Sequence, residues 1–172
     1  MRFFLLIALL MTACAPVYIP GTRNVPLFRG AGEAQASVYL TTGVDLQAAY
    51  SFTDNVAIMG GYSMLNQKES AQNFTRKNKY GELGLGYFKS DRSYRFELFV
   101  GYGLGEGTSL ANYYFYASNF GVTDIVATGK YSRIFFQPTI ASNNRKFNLA
   151  FTPRISVVDF KEHFNKEFGR IR

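Results

Sequence analysis

The chain has no tryptophan, one cysteine and one histidine in 172 residues. The single Cys14 excludes an intramolecular disulfide and a multi-cysteine metal site. The single His163 leaves no Ser–His–Asp constellation to assemble, and it sits in an atypical C-terminal stretch, where it reads as a surface residue. Acidic residues are few, 12 against 19 basic ones, for a formal charge of +7. Removing Arg2 with an N-terminal leader still leaves 18 basic residues. No nucleic-acid motif or basic helix accompanies that excess, and many of the cations fall in turns. The charge therefore reads as solvated loops, with no nucleic-acid partner. Long apolar runs are scarce too. Hydrophobic residues make up 47% of the chain, yet its mean hydropathy is only −0.07, so apolar and polar residues are interleaved.

The exception is residues 3–11, an unbroken apolar run behind Met1-Arg2 and ahead of Thr12-Ala13-Cys14. A basic start, a short apolar run and small residues before a break describe a secretory signal peptide, here residues 1–13. The run is too short for a transmembrane helix, which needs roughly 20 residues. Met11-Thr12-Ala13-Cys14 resembles a bacterial lipobox, which implies that Cys14 becomes the acylated first residue of the mature chain. Ala15 in place of Asp implies sorting to the outer membrane. Residues 14–32 hold Pro16, Pro20 and Pro26 with Gly21, Gly30 and Gly32, and read as a lipid-anchored tether rather than a regular element.

What is abundant is tyrosine and phenylalanine, 12 and 17 residues, together with 16 glycines. That balance favours strands and tight turns. From Glu33 onward the pattern has period two. Residues 94–106 are the clearest case: Phe96, Leu98, Val100, Tyr102 and Leu104 share one parity, and Arg95, Glu97, Phe99, Gly101, Gly103 and Gly105 take the other. Seven strands are expected, over 33–41, 44–53, 56–65, 80–88, 94–106, 131–141 and 147–157. Pro138 and Pro153 inside two of them mark bulges or irregular ends.

Successive strands of this kind predict an all-β fold, an up-and-down antiparallel β-barrel of about eight strands over residues 33–160, with seven strands evident. Links after the second, fourth and sixth strands are short; residues 66–79 and 107–129 read as long links at the other end. Outer-membrane barrels have short periplasmic turns and longer external loops. That orientation would leave the tether on the periplasmic side. The apolar parity would meet lipid, with Tyr50, Phe52, Tyr87 and Tyr102 as interfacial aromatics. The opposite parity would be enclosed, where charges must pair. An internal ion-pair network of Glu82 and Glu97 with Arg133 and Arg154 is therefore expected. The same faces would suit a soluble sandwich with those charges in water.

Seven is an odd count, and bacterial single-chain barrels are even. In residues 161–172 and just before, Phe160, Phe164 and Phe168 recur every four positions, a helical period that predicts a short helical tail ending near Gly169. The return strand is then either supplied near residues 25–29 or lies beyond Arg172.

Five pieces carry a family resemblance: Cys14, residues 16–28 (PVYIPGTRNVPLF), 32–37 (GEAQAS), 45–50 (DLQAAY) and 99–107 (FVGYGLGEG). In these the chain resembles small outer-membrane β-barrel lipoproteins of the Bacteroidota type. The resemblance implies a lipobox and an outer-membrane barrel, and no known reaction or functional residue.

Signals for chemistry are thin. Gly101-x-Gly103-x-Gly105 lacks the strand–turn–helix context of a dinucleotide fingerprint and reads as room made inside a barrel. No catalytic, metal or cofactor site is expected. The cluster Tyr113, Tyr114, Phe115 and Tyr116 in the longest link is the candidate binding surface for an extracellular partner, a glycan or a lipid head group; interfacial packing is the alternative. The expected role is a structural or surface-binding barrel in contact with outer-membrane lipid. A lipocalin-like periplasmic carrier of a small apolar ligand, or a narrow pore, are the alternatives.

Overall fold

A computed structural model describes residues 21–69, 74–113, 123–143 and 149–169. They form one antiparallel sheet with no helix, wound up and down in sequence order and curled into a half-barrel. The strands are β1 (Ala34–Leu40), β2 (Gly43–Ser51), β3 (Val56–Glu69), β4 (Phe74–Ser90), β5 (Tyr94–Tyr113), β6 (Thr123–Ser142), β7 (Ala150–Phe151) and β8 (Ile155–Gly169). Both β7 and β8 pair with β6 and together make one interrupted seventh strand. The interruption at residues 152–154 lies opposite Pro138, which has no backbone N–H to give to the ladder. Pro153 sits in the same gap.

Three expectations change. First, β3, β4, β5 and β6 run well beyond the alternating stretches, so residues 66–69, 74–79, 107–113 and 123–129 are strand rather than link. The ladder needs only backbone groups, and here the buried positions are themselves polar or small, as at Asn78, Gly107, Ser109 and Gly129, so the alternation of apolar and polar residues disappears. The links themselves shorten to 70–73 and 114–122. Second, the stretch expected to be a helical tail is the body of β8, paired with β6 up to Thr123–Gly169. Positions four apart share a face in a regular strand as well as in a helix, which is how Phe164 and Phe168 are paired, opposite Thr128 and Asp124; Phe160, opposite Tyr131, falls on the other parity. A bulge across from Lys161, between Lys130 and Tyr131, interrupts that register. Third, residues 21–33 supply no strand near 25–29.

Among the described residues β1 pairs only with β2, and β8 only with β6. The sheet is therefore open. Its two edges run in the same direction, so an all-antiparallel closure takes an odd number of further strands.

The two faces differ as the alternation predicts. On the convex face Leu83 is 66% exposed, Leu85 62% and Ile134 57%, and Tyr50, Phe52, Val100, Tyr102 and Phe136 are exposed with them. On the concave face Phe88, Phe99, Phe135, Ala57 and Met59 form an apolar cluster near the short-turn end. Phe28, from the segment before β1, completes it, with its ring 5.4 Å from that of Phe88. Residues 21–32 thus pack inside the half-barrel instead of hanging free as a tether. Asn24, Pro26 and Phe28 are the buried positions, at every second residue, as in an extended chain.

Candidate functional site

The polar centre of the concave face is built by register. Glu82 on β4 lies opposite Gly103 on β5, and Gly103 lies opposite Arg133 on β6. Strands two apart are separated by about 10 Å, a gap that two long side chains bridge only if the strand between carries none. Gly103 provides that floor. Arg133 Nη2 donates to Glu82 Oε2 at 2.5 Å. Gly105 does the same for the pair above it, where the Tyr80 and Tyr131 rings stack at 5.9 Å and 12°.

Arg154 reaches the same carboxylate from the gap between β7 and β8. Its Nη1 donates to Glu82 Oε1 at 2.9 Å and to Oε2 at 3.1 Å, and its Nε donates to Gln137 Oε1 at 2.7 Å. Tyr80 Oη donates to Glu82 Oε2 at 2.8 Å. One carboxylate thus meets two guanidiniums and a phenol. All three charged side chains are at most 8% exposed. The guanidiniums are also covered by rings: Arg133 lies 4.3 Å from the Tyr80 ring centre and Arg154 lies 4.2 Å from that of Phe135. Buried charges are tolerated when they are paired and hydrogen-bonded in this way.

Glu97 does not join this cluster, contrary to expectation. It lies opposite Phe88 and Thr139, about 20 Å along the strand from the level of Glu82. Its Oε1 accepts from the Phe28 backbone N–H at 2.7 Å. Its neighbour on the same face, Arg95, donates from Nη1 to the Leu27 carbonyl at 2.9 Å. Leu27 between them has φ of 57°, the left-handed region that side chains with a Cβ seldom adopt. This pair grips the backbone of the N-terminal segment from both its donor and its acceptor side.

That grip is repeated along the segment. Gln47 Nε2 donates to Thr22 O at 3.0 Å, Gln137 Nε2 to Asn24 O at 2.7 Å, and Gln35 Nε2 to Pro26 O at 2.5 Å. Asn24 Nδ2 donates to Ala48 O at 3.0 Å, and Ser51 Oγ donates to Gly30 O at 2.7 Å. Arg23 Nη1 reaches Thr152 O at 2.8 Å, in the gap of the seventh strand. Neither the glutamines nor Asn24, Phe28 and Tyr80 stand out in the sequence. The one available signal was the spacing of Asn24, Pro26 and Phe28.

A cavity of about 20 Å³ remains beside Glu82 and Arg133, walled by Thr22, Asn24, Gln47 and Tyr80. It has room for about one water and no substrate. Among the described residues no three His, Cys, Asp or Glu side chains gather as metal ligands. Glu82 Oε2 accepts from Tyr80, Arg133 and Arg154, and Oε1 accepts from Arg154. Between the levels of Tyr80 and Phe88 the arrangement is a filled interior cross-linked to its own N-terminal segment, with a cavity of about 240 Å³ above it beside Thr22, Asp45 and Asn78.

Of the other residues singled out by sequence, Tyr113 is the last residue of β5. Tyr114, Phe115 and Tyr116 lie outside the described residues, as does Cys14. In comparisons with protein-family models, with curated proteins and with solved structures, nothing matches this chain.

Proposed function

We propose that the chain is an outer-membrane β-barrel lipoprotein with a structural or surface-binding role and no catalysis. The observation that carries this is the inversion of polarity across the sheet. The convex face presents large apolar side chains to the surroundings, and the concave face buries Glu97, Arg95, Arg133 and Gln137 and encloses the Glu82 side chain. A soluble protein seldom leaves a contiguous apolar surface of more than a few hundred Å² uncovered, whereas a lipid-facing sheet requires one.

The dimensions support the same reading. On the outward parity of β4 the apolar stretch from Gly81 to Tyr87 is bounded by Lys79 and Lys89. The ten residue steps from Lys79 to Lys89, at about 3.4 Å each and tilted by about 40°, put the two lysines about 26 Å apart in depth, close to the height of the lipid-facing belt of such barrels. At the upper boundary Lys79, Glu106 and Lys130 are cross-strand neighbours and form a charged row. At the lower one Tyr50, Phe52, Tyr87 and Tyr94 are exposed aromatics, suited to the interface. From Tyr80 to Phe88 the interior is filled, and the cavity of about 240 Å³ above it is lined by polar Thr22, Asp45, Ser63 and Asn78, which favours a structural or binding role over conduction and over carriage of an apolar ligand. Cys14 would carry the acyl anchor, and the links 70–73 and 114–122, with Tyr114, Phe115 and Tyr116, would meet the surroundings.

The test is extraction and gel mobility of the full chain. Resistance to carbonate and urea, together with a heat-dependent shift in electrophoretic mobility, is expected. Complete release by carbonate would overturn the membrane assignment. Mass spectrometry of the mature N-terminus checks the anchor; an unmodified Cys14 would remove it.

A further inference from the structure

The N-terminal segment has a direction. Gly21 lies beside Asp45 and Ser63, and the Thr22 hydroxyl donates to Asp45 Oδ2 at 3.1 Å. These sit near the β1–β2 link, at the level of Tyr80, Gly105 and Tyr131, above which β3 to β6 run on for about 20 Å or more towards the β3–β4 and β5–β6 links. Asn24 lies lower, bonded to Ala48 O. Leu27 and Phe28 lie lower still, at the level of Arg95 and Glu97. The Ala31 N–H donates to Asp54 in the β2–β3 turn at 3.0 Å, at the opposite end. From Thr22 to Gly30 the chain therefore descends the concave face from the level of Tyr80 to the β2–β3 turn and then turns back into β1.

We infer that the chain before Gly21 emerges at the end of the barrel bearing the β3–β4 and β5–β6 links, so that an acyl group on Cys14 sits in the same leaflet as those links. This rests on the proposal of an outer-membrane lipoprotein, and it puts the anchor opposite to where the loop pattern alone suggests. The seven residues from Cys14 to Gly21 reach at most about 25 Å when fully extended. From the level of Tyr80, beside Gly21, down to Phe88 is about 27 Å along the strand, or about 21 Å of depth at a tilt of about 40°, so only a nearly straight and fully extended chain would span it. That path is occupied by residues 22–30 themselves and by Tyr80, Glu82, Arg133 and Phe135. The side chains holding the segment come from β1, β2, β5 and β6 and bind its backbone, so they fix its path whatever residues it carries. The segment is thereby a lumenal strap, and the chain's own N-terminus is carried across the membrane with the barrel.

Accessibility of introduced cysteines in the full chain tests this, with Cys14 retained for acylation. Val17→Cys reports on the N-terminal side, Asn119→Cys on the β5–β6 link and Arg92→Cys on the β4–β5 turn. Tyr18→Cys replaces the first if it fails to reach the membrane. Intact cells are treated with a membrane-impermeant maleimide and compared with lysed cells. The expected result is that V17C labels like N119C on intact cells while R92C labels only after lysis. If V17C and N119C are both protected and R92C is labelled, the shared side still holds and the barrel's orientation is reversed. If V17C follows R92C while N119C behaves oppositely, the threading is overturned and the membrane barrel stands. If N119C and R92C do not differ, the sheet does not separate two compartments, and both proposals fall.

Discussion

Glu82 and Arg133 lie on strands that do not touch, and they meet over Gly103. A Cβ at position 103 would overlap the Tyr80 ring, which itself bonds Glu82 and covers Arg133. Gly103→Val is expected to destabilise the fold by about 1–3 kcal/mol through this overpacking. Tyr102→Val, one residue away on the convex face, leaves that packing untouched. Urea midpoints of the two variants in the same detergent should separate clearly; equal midpoints would sink the glycine-floor account.

Removing the carboxylate strands two buried guanidiniums. Glu82→Leu is expected to cost about 3–5 kcal/mol, the range found when one partner of a buried ion pair is deleted. Replacing all three groups, as Glu82→Leu with Arg133→Met and Arg154→Met, should cost less than Glu82→Leu alone, because no charge is then left unpaired. Equilibrium unfolding of the single and triple variants checks the order.

Phe28 fills the apolar cluster between Phe88 and the β2–β3 floor. Phe28→Ala should cost about 3–5 kcal/mol by leaving a cavity. Because Phe28 also pins the strap, limited trypsin digestion should cut at Arg23 or Arg29 much faster in the variant, with the strands still protected. Unchanged cleavage at both arginines would show that the strap is not held there.

Leu27 is held at positive φ by the Arg95 and Glu97 contacts on either side. Leu27→Gly is expected to be neutral or stabilising by up to about 1 kcal/mol, and Leu27→Val to be destabilising, since a β-branched residue tolerates that region worst. Thermal midpoints of the two variants should fall on opposite sides of, or at least rank around, the parent.

Position along the convex face should set the cost of a charge. Leu83→Arg, in the middle of the band, is expected to cost about 2–4 kcal/mol in a bilayer, and Met64→Arg, near the charged row, about 0–1 kcal/mol. Folding into phospholipid vesicles measures both; equal costs would argue against a lipid-facing band.

Much of this was legible in the residues. The parity of Leu83, Leu85, Val100, Tyr102, Ile134 and Phe136 against Glu82, Phe99 and Arg133 identifies the two faces, because a strand allows only two. Even the mismatch at Glu97 was within reach: closing the β4–β5 hairpin with Ser90 opposite Arg95 places Glu97 opposite Phe88 and Gly103 opposite Glu82. The true ends of β3 to β6 were not legible, since the backbone ladder continues where alternation stops. The tail was misleading because the bulge at Lys161 shifts Phe160 to the parity opposite Phe164 and Phe168, which hides the period of two.

By itself, then, the sequence determined the all-β class, the strand order and which parity is apolar in the alternating stretches, all of which follow from local period and turn chemistry. Only the tertiary structure decided what fills the concave face. The contacts of residues 21–30 with β1, β2, β5 and β6 join positions far apart in the chain and engage backbone groups, which every residue shares. Composition carries no trace of such contacts, and a proline- and glycine-bearing stretch looks the same whether it hangs in water or threads a barrel.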